Sequence, residues 1–143
     1  MSISADNPVG LKSVDHMEFT ANERYGHVGK LFHSLGFQKS ATNEKYDLYD
    51  QGQIRFLLTS STDESEHSAR YRKDHGEGVS KIAFRVENAE ESLNIAIKRG
   101  GELVQDLSIE ETEFGPIKRA AIKGLAMSST NSLSAQVKLF IRG

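Results

Sequence analysis

The sequence has no cysteine, which excludes disulfides, thiolate catalysis and cysteine-held zinc and leaves histidine and carboxylate as its strong metal ligands. It also lacks an excess of either charge: 18 basic residues stand against 20 acidic ones, a net charge of −2, so nothing draws the chain generally to nucleic acid or an anionic membrane. No apolar run approaches the roughly 18 residues of a membrane span, and Met1 to Pro8 lacks the basic and apolar parts of a signal peptide. A cytoplasmic location is therefore expected. No serine sits in a nucleophile elbow and no glycine run has phosphate-loop spacing. The short basic cluster of Arg70, Arg72 and Lys73 is offset by Glu66, Asp74 and Glu77.

What the chain does have is an internal repeat. At 143 residues it is long enough for one core. An offset of 65 residues superposes Phe19 on Phe84, Gly36 on Gly101 and Phe56 on Ala121, and places each candidate element on one of the same type.

In the first copy, Leu11 to Thr20 reads as a strand, Asn22 as an N-cap, and Tyr25, Val28, Leu31, Phe32 and Leu35 as one apolar helix face ended by Gly36. Phe37 to Ser40, Lys45 to Asp50 and Gln53 to Thr59 follow as short strands, the last pair joined by a turn at Asp50-Gln51-Gly52. In the second copy, Val79 to Val86 is the strand, Asn88 with Glu91 resembles a capping box, and Ala89, Leu93, Ala96 and Ile97 form the helix face, closed by Gly100-Gly101. Glu102 to Leu107, Ile117 to Ile122 and Ala135 to Ile141 complete it, the last after the polar stretch Met127 to Ser134. The fold class is α+β: two consecutive βαβββ modules at 11–60 and 79–143, a tail at 1–10, and a charged surface linker at 61–78 with one helical turn around His67 to Lys73. Phe19, Phe32, Leu35, Phe56, Phe84 and Ile97 are the expected core.

Several segments, in this order and spacing, resemble the amino-terminal half of 4-hydroxyphenylpyruvate dioxygenase, a tyrosine-catabolism family within the vicinal oxygen chelate (glyoxalase, bleomycin resistance and dioxygenase) superfamily. They are Asn7-Pro8-Val9-Gly10-Leu11, Met17-Glu18-Phe19, Leu35-Gly36-Phe37, Leu48-Tyr49-Asp50-Gln51-Gly52-Gln53-Ile54, His75-Gly76, Ala83-Phe84-Arg85-Val86 and Ala121-Ile122-Lys123-Gly124. From Leu125 to Ser134 the chain is serine-rich where the family runs through a short glycine-rich turn. The resemblance implies paired modules curving into an open eight-stranded, barrel-like sheet whose concave face is the superfamily's usual site. It also implies that iron and the catalytic residues belong to a second, carboxy-terminal pair of modules. No cofactor is then expected in this chain. Its expected partner is either that catalytic half or a second copy, a homo-oligomer formed through strands near Val79 to Val86 and Ala135 to Ile141.

Strand alternation sends Met17 and Phe19 to one face and His16 and Glu18 to the other; in the second copy Ile82, Phe84 and Val86 oppose Lys81, Ala83 and Arg85. His16, Glu18, Lys81 and Arg85 are thus the expected lining of the cup, and Asp15-His16 resembles the first-strand ligand position of metal-binding relatives. A non-haem iron centre needs two histidines and a carboxylate. The repeat equivalent of His16 is Lys81, an ammonium without a lone pair, and Gln136-Val137-Lys138-Leu139-Phe140 supplies no carboxylate. The expected arrangement is instead Glu18 paired with Lys81 or Arg85 in a partly wet cup, His16 hydrogen-bonded beside them. His27, His33, His67 and His75 are expected on the solvated surface, a metal clip of His67 and His75 with Asp63, Glu64 or Asp74 being too loosely spaced to favour. The functional expectation is a non-catalytic domain of a dioxygenase-like protein; the alternative is a free-standing dimer that sequesters a small organic ligand, and a free-standing metalloenzyme is disfavoured.

Overall fold

A computed structural model describes residues 5–112, 115–123 and 136–142. Its elements in chain order are β1 (Leu11–Thr20), α1 (His27–Ser34), β2 (Gln38–Thr42), β3 (Tyr46–Gln51), β4 (Ile54–Thr59), α2 (His67–His75), β5 (Gly78–Val86), α3 (Ala89–Lys98), β6 (Leu103–Thr112), β7 (Gly115–Lys123) and β8 (Gln136–Arg142). The eight strands form one open sheet in the order β2-β3-β4-β1-β5-β8-β7-β6. Outward from the β1–β5 seam both wings read alike: β1 pairs parallel with β4, and β5 parallel with β8. The remaining pairs are antiparallel hairpin partners. Two βαβββ units side by side in an α+β fold are what the repeat required.

The first wing buries an aromatic cluster. Phe32 of α1 lies 4.9 Å from Phe19, 5.1 Å from Phe56 and 5.3 Å from Tyr49, ring centre to ring centre. Phe37 stacks on Phe56 at 4.5 Å, and Ala21 and Leu58 complete the buried set. Offset and edge-on ring pairs of this kind add about 0.5 to 1.5 kcal/mol each beyond the area they bury. In the second wing Val86 and Ala89 are buried beneath Leu11, Phe84 and Leu107.

Two expected core residues are not in the core. Leu35 is 59% exposed and Ile97 41%. Leu35 is the C-cap, past the last residue of α1, and the helix starts at His27 with Gly26 as N-cap instead of Asn22. The backbone N–H of Asn22 donates to Glu77 Oε2 at 2.9 Å, and Arg24 donates to the Asn43 carbonyl at 2.8 Å. These ties hold residues 22–24 out of the helix; Val28 and Phe32 pack inward, and Tyr25, Leu31 and Leu35 face solvent. In α3 the buried stripe is Ala89, Ser92 and Leu93, and Ile97 falls beyond it. The expected cap there forms: Asn88 Oδ1 accepts from the Glu91 N–H at 3.1 Å. Gly36 closes α1 with left-handed backbone (φ 96°), and a Cβ there would lie 2.6 Å from Gln51 Nε2.

The charged segment after β4 contains nine residues of helix, more than the single turn expected, and it is not all surface: His67, Ser68 and Ala69 of α2 are buried. Residues 7–10, expected as tail, are tied down as well, with Asn7 exchanging two 2.9 Å hydrogen bonds with the Leu11 backbone and Ser92 Oγ donating to the Val9 carbonyl. The strands expected to pair a second copy, β5 and β8, are interior and paired on both sides; among the described residues the outermost strands of the sheet are β2 and β6. The stretch Leu125 to Ser134 lies outside the described residues.

Candidate functional site

Strands β1 and β5 run antiparallel with Glu18 opposite Lys81 and His16 opposite Ala83. Strict alternation along β1 is broken by register shifts between Val14 and His16 and between Glu18 and Phe19. The first shift brings the Asp15 carboxylate alongside His16, and Asp15 becomes the hub of the site. Its Oδ2 accepts from His16 Nδ1 at 2.8 Å, its Oδ1 accepts from Arg85 Nη2 at 3.0 Å, and Arg55 Nη1 stands 3.8 Å away. A carboxylate can only accept, so His16 carries its proton on Nδ1. Arg85 therefore pairs with Asp15 and not with Glu18. Glu18 accepts from the Tyr46 hydroxyl at 3.0 Å and lies 3.9 Å from Lys81 Nζ. Burial of the Tyr46 phenol, and next the Glu18 charge, push its pKa upward and keep it the donor.

Both carboxylates are more deeply buried than a wet cup would leave them, Glu18 at 2% and Asp15 at 5% exposure. Asp15, Arg55 and Tyr46 were not among the residues expected to line the cup. Arg55 was within reach of the sequence pattern, because alternation along Gln53 to Thr59 sets it opposite Phe56 and Leu58. The bulge that positions Asp15 has no comparable signature.

Helix α2 packs against β5 and β1 and closes the Thr20 end of this arrangement. Arg72 donates from Nη1 to Thr20 Oγ1 at 2.7 Å and from Nη2 to the Ser61 carbonyl at 2.9 Å. His67, expected on the surface, is buried and lies within hydrogen-bond reach of the Ser80 carbonyl, Nε2 to O 3.1 Å. Turned inward, it is not placed to clip a metal with His75, which packs instead on Tyr71 at 4.8 Å. Desolvation, and after it the charge of Lys81, hold the His67 pKa below the ordinary histidine value. The unfolded chain therefore takes up a proton on this ring at a pH where the folded chain does not. Stability from this group is complete above the unfolded value of about 6.5 and falls as pH drops below it, by at most about 1.4 kcal/mol per pH unit. Urea titrations between about pH 5 and pH 7 should show this slope in the parent and a flatter one in His67→Gln; equal slopes would assign the effect to another group.

The donor set does not fit iron. Among the described residues no three histidine, aspartate or glutamate side chains converge as a metal site. The carboxylates that face His16 are matched to Arg85, Arg55 and Lys81, cations that would repel a divalent ion.

A family model described as hydroxyphenylpyruvate dioxygenase, HPPD, N-terminal, matches residues 5–132. The chain belongs to this family. Among curated relatives of this HPPD amino-terminal domain, hemolysin VllY of Vibrio vulnificus is 32% identical over 120 residues, which are 81% of this chain and 31% of that protein. The 4-hydroxyphenylpyruvate dioxygenase of Pseudomonas aeruginosa is 28% identical over 130 residues, 88% of this chain and 35% of that one. The domain thus spans about a third of the length of these relatives. Among solved structures, a mutant of 4-hydroxymandelate synthase from Streptomyces coelicolor superposes with a TM-score of 0.75 at 16% identity, over 93% of this chain and 39% of that one. The fold is the vicinal oxygen chelate fold. No helix among the described residues is long and apolar enough to cross a membrane.

Proposed function

We propose that this chain is the non-catalytic amino-terminal part of a 4-hydroxyphenylpyruvate dioxygenase-like protein, with a structural or assembly role beside iron chemistry done elsewhere. The observation that carries the proposal is the state of the cup: each buried carboxylate on it already has a cation within 4 Å, Asp15 with Arg85 and Glu18 with Lys81. Such a surface orients two modules and binds no metal of its own. The chain alone is then expected not to turn over 4-hydroxyphenylpyruvate, and added ferrous iron should not rescue it. Oxygen uptake above a protein-free control that disappears in His16→Ala would overturn the proposal.

The assembly role has a surface to act through. Strand β6 is an outermost strand of the sheet with no second strand partner among the described residues, and its Leu103, Val104 and Ile109 are exposed. Unpaired edges carrying apolar side chains favour pairing with another chain. We therefore expect a dimer in solution, or a complex when a catalytic half is supplied. Light scattering at about 100 μM should give twice the chain mass, a concentration at which even micromolar dimers are populated; a strictly monomeric mass together with no capture by the catalytic half would remove the assembly role.

A further inference from the structure

The sheet side that carries α1 holds a groove remote from the cup. It has a volume of about 460 Å³ and is lined by Arg24, Lys30, His33 and Lys39 together with the rings of Tyr25 and Tyr49. A volume of this size accommodates a small organic molecule. On a chain whose net charge is −2, three fixed cations and an imidazole around one opening, with no carboxylate in the lining, are a local reversal of sign.

A carboxylate that gathers two of these cations, Arg24 and Lys39, stands behind the lining. Asp47 is fully buried, and its Oδ1 accepts from Thr42 Oγ1 at 2.6 Å. Arg24 Nη1 and Lys39 Nζ each approach it only to 3.7 Å, and Asp47 Oδ2 accepts no hydrogen bond. The two cations are thus held in place by charge while the Lys39 N–H donors stay unspent on the carboxylate. Lys39 Nζ sits 4.6 Å from the centre of the Tyr25 ring, and that ring is 69% exposed. Lys30 and His33 have no ion-pair partner among the described residues. The first turn of α1 opens on the same groove at Gly26 and Gly29, with no side-chain cap and no acidic residue. Gly29 forms part of its wall, where a Cβ would come within 2.8 Å of the Tyr49 hydroxyl. Glu23 lies beside Gly26, outside the lining.

From this geometry we infer a second binding site for a small phosphomonoester that carries a planar aromatic group. The phosphate is taken by Arg24, Lys30 and Lys39, and the ring lies against Tyr25. A guanidinium fork and ammonium groups together match the oxygens of a phosphate, and the exposed phenol ring supplies a stacking face for the organic part.

The probes are phenyl phosphate, inorganic phosphate and phenol, titrated into the full chain and followed by amide NMR shifts. Phenyl phosphate should bind with a Kd of about 1 mM or tighter, with shifts centred on residues 24–30, and each of the other two probes about tenfold more weakly or worse. Lys39→Gln and Lys30→Gln, both at the surface, should each weaken phenyl phosphate about tenfold, with their unaltered spectra elsewhere showing an intact fold. Inorganic phosphate as tight as phenyl phosphate would overturn the aromatic part. Saturation absent at about 10 mM, or equal affinity in both lysine variants, would overturn the site.

Discussion

Phe32→Ala should cost the fold about 3 to 5 kcal/mol, the range for deleting a buried aromatic side chain from a core. Phe32 is 3% exposed and touches a ring in every neighbouring element of the first wing: Phe19 in β1, Tyr49 in β3, Phe56 in β4, and Phe37 just before β2. These rings interlock, so the hole left by alanine cannot collapse without moving several of them. Against a typical net stability of about 5 to 15 kcal/mol, this is a large share. Chemical denaturation of Leu35→Ala provides the contrast, since a side chain so exposed should cost less than about 0.5 kcal/mol. Comparable losses in the two variants would mean that α1 does not face the sheet in this rotation.

The second large effect is expected at Asp15. Asp15→Ala removes the acceptor for His16 and Arg85 and the counter-charge for Arg55 at once. Breaking a fully buried pair this way costs about 3 to 5 kcal/mol. Here the side chains of Arg85 and Arg55 are 39% and 38% exposed, so water relieves part of the stranded charge and a loss of about 2 to 3 kcal/mol is expected. Combining Asp15→Ala with Arg85→Gln should recover part of that loss, because the double variant leaves less unmatched charge. A loss below about 0.5 kcal/mol for Asp15→Ala, measured by urea denaturation, would show that the hub contributes nothing net.

The architecture was legible because it is written in local signals that repeat. The strand at Leu11 to Thr20 has the ends read from the sequence, Asn88 marks the start of α3, and glycines mark the helix ends. Tertiary ties between distant residues were not legible. The Asn22 N–H is claimed by a carboxylate 55 residues away, and that contact, invisible in the local sequence, leaves Asn22 outside α1, which starts at His27. The same limit applies to the cup. Parity along the strands selects His16, Glu18, Lys81 and Arg85, and the structure sets Glu18 3.9 Å from Lys81. The bulge in β1 then hands Arg85 to Asp15, which no parity argument names. In α2 the charged composition pointed to solvent, yet His67 is drawn inward by a backbone carbonyl of β5.

The order of strands in the sheet also sets an order of events during synthesis. The first wing closes with β4, whose partners β1 and β3 precede it in the chain. The second wing closes in the same way with its own last strand: β8 lies between β5 and β7, so the hairpin of β6 and β7 has no link to the seam until β8 is made. A nascent chain that has emerged only as far as β7 therefore displays two unpaired edges, one on β5 and one on β7, facing a gap one strand wide. Until residues 136–142 enter that gap, the emerging chain is most open to pairing with a neighbour, and chaperone contact is expected to concentrate in that interval.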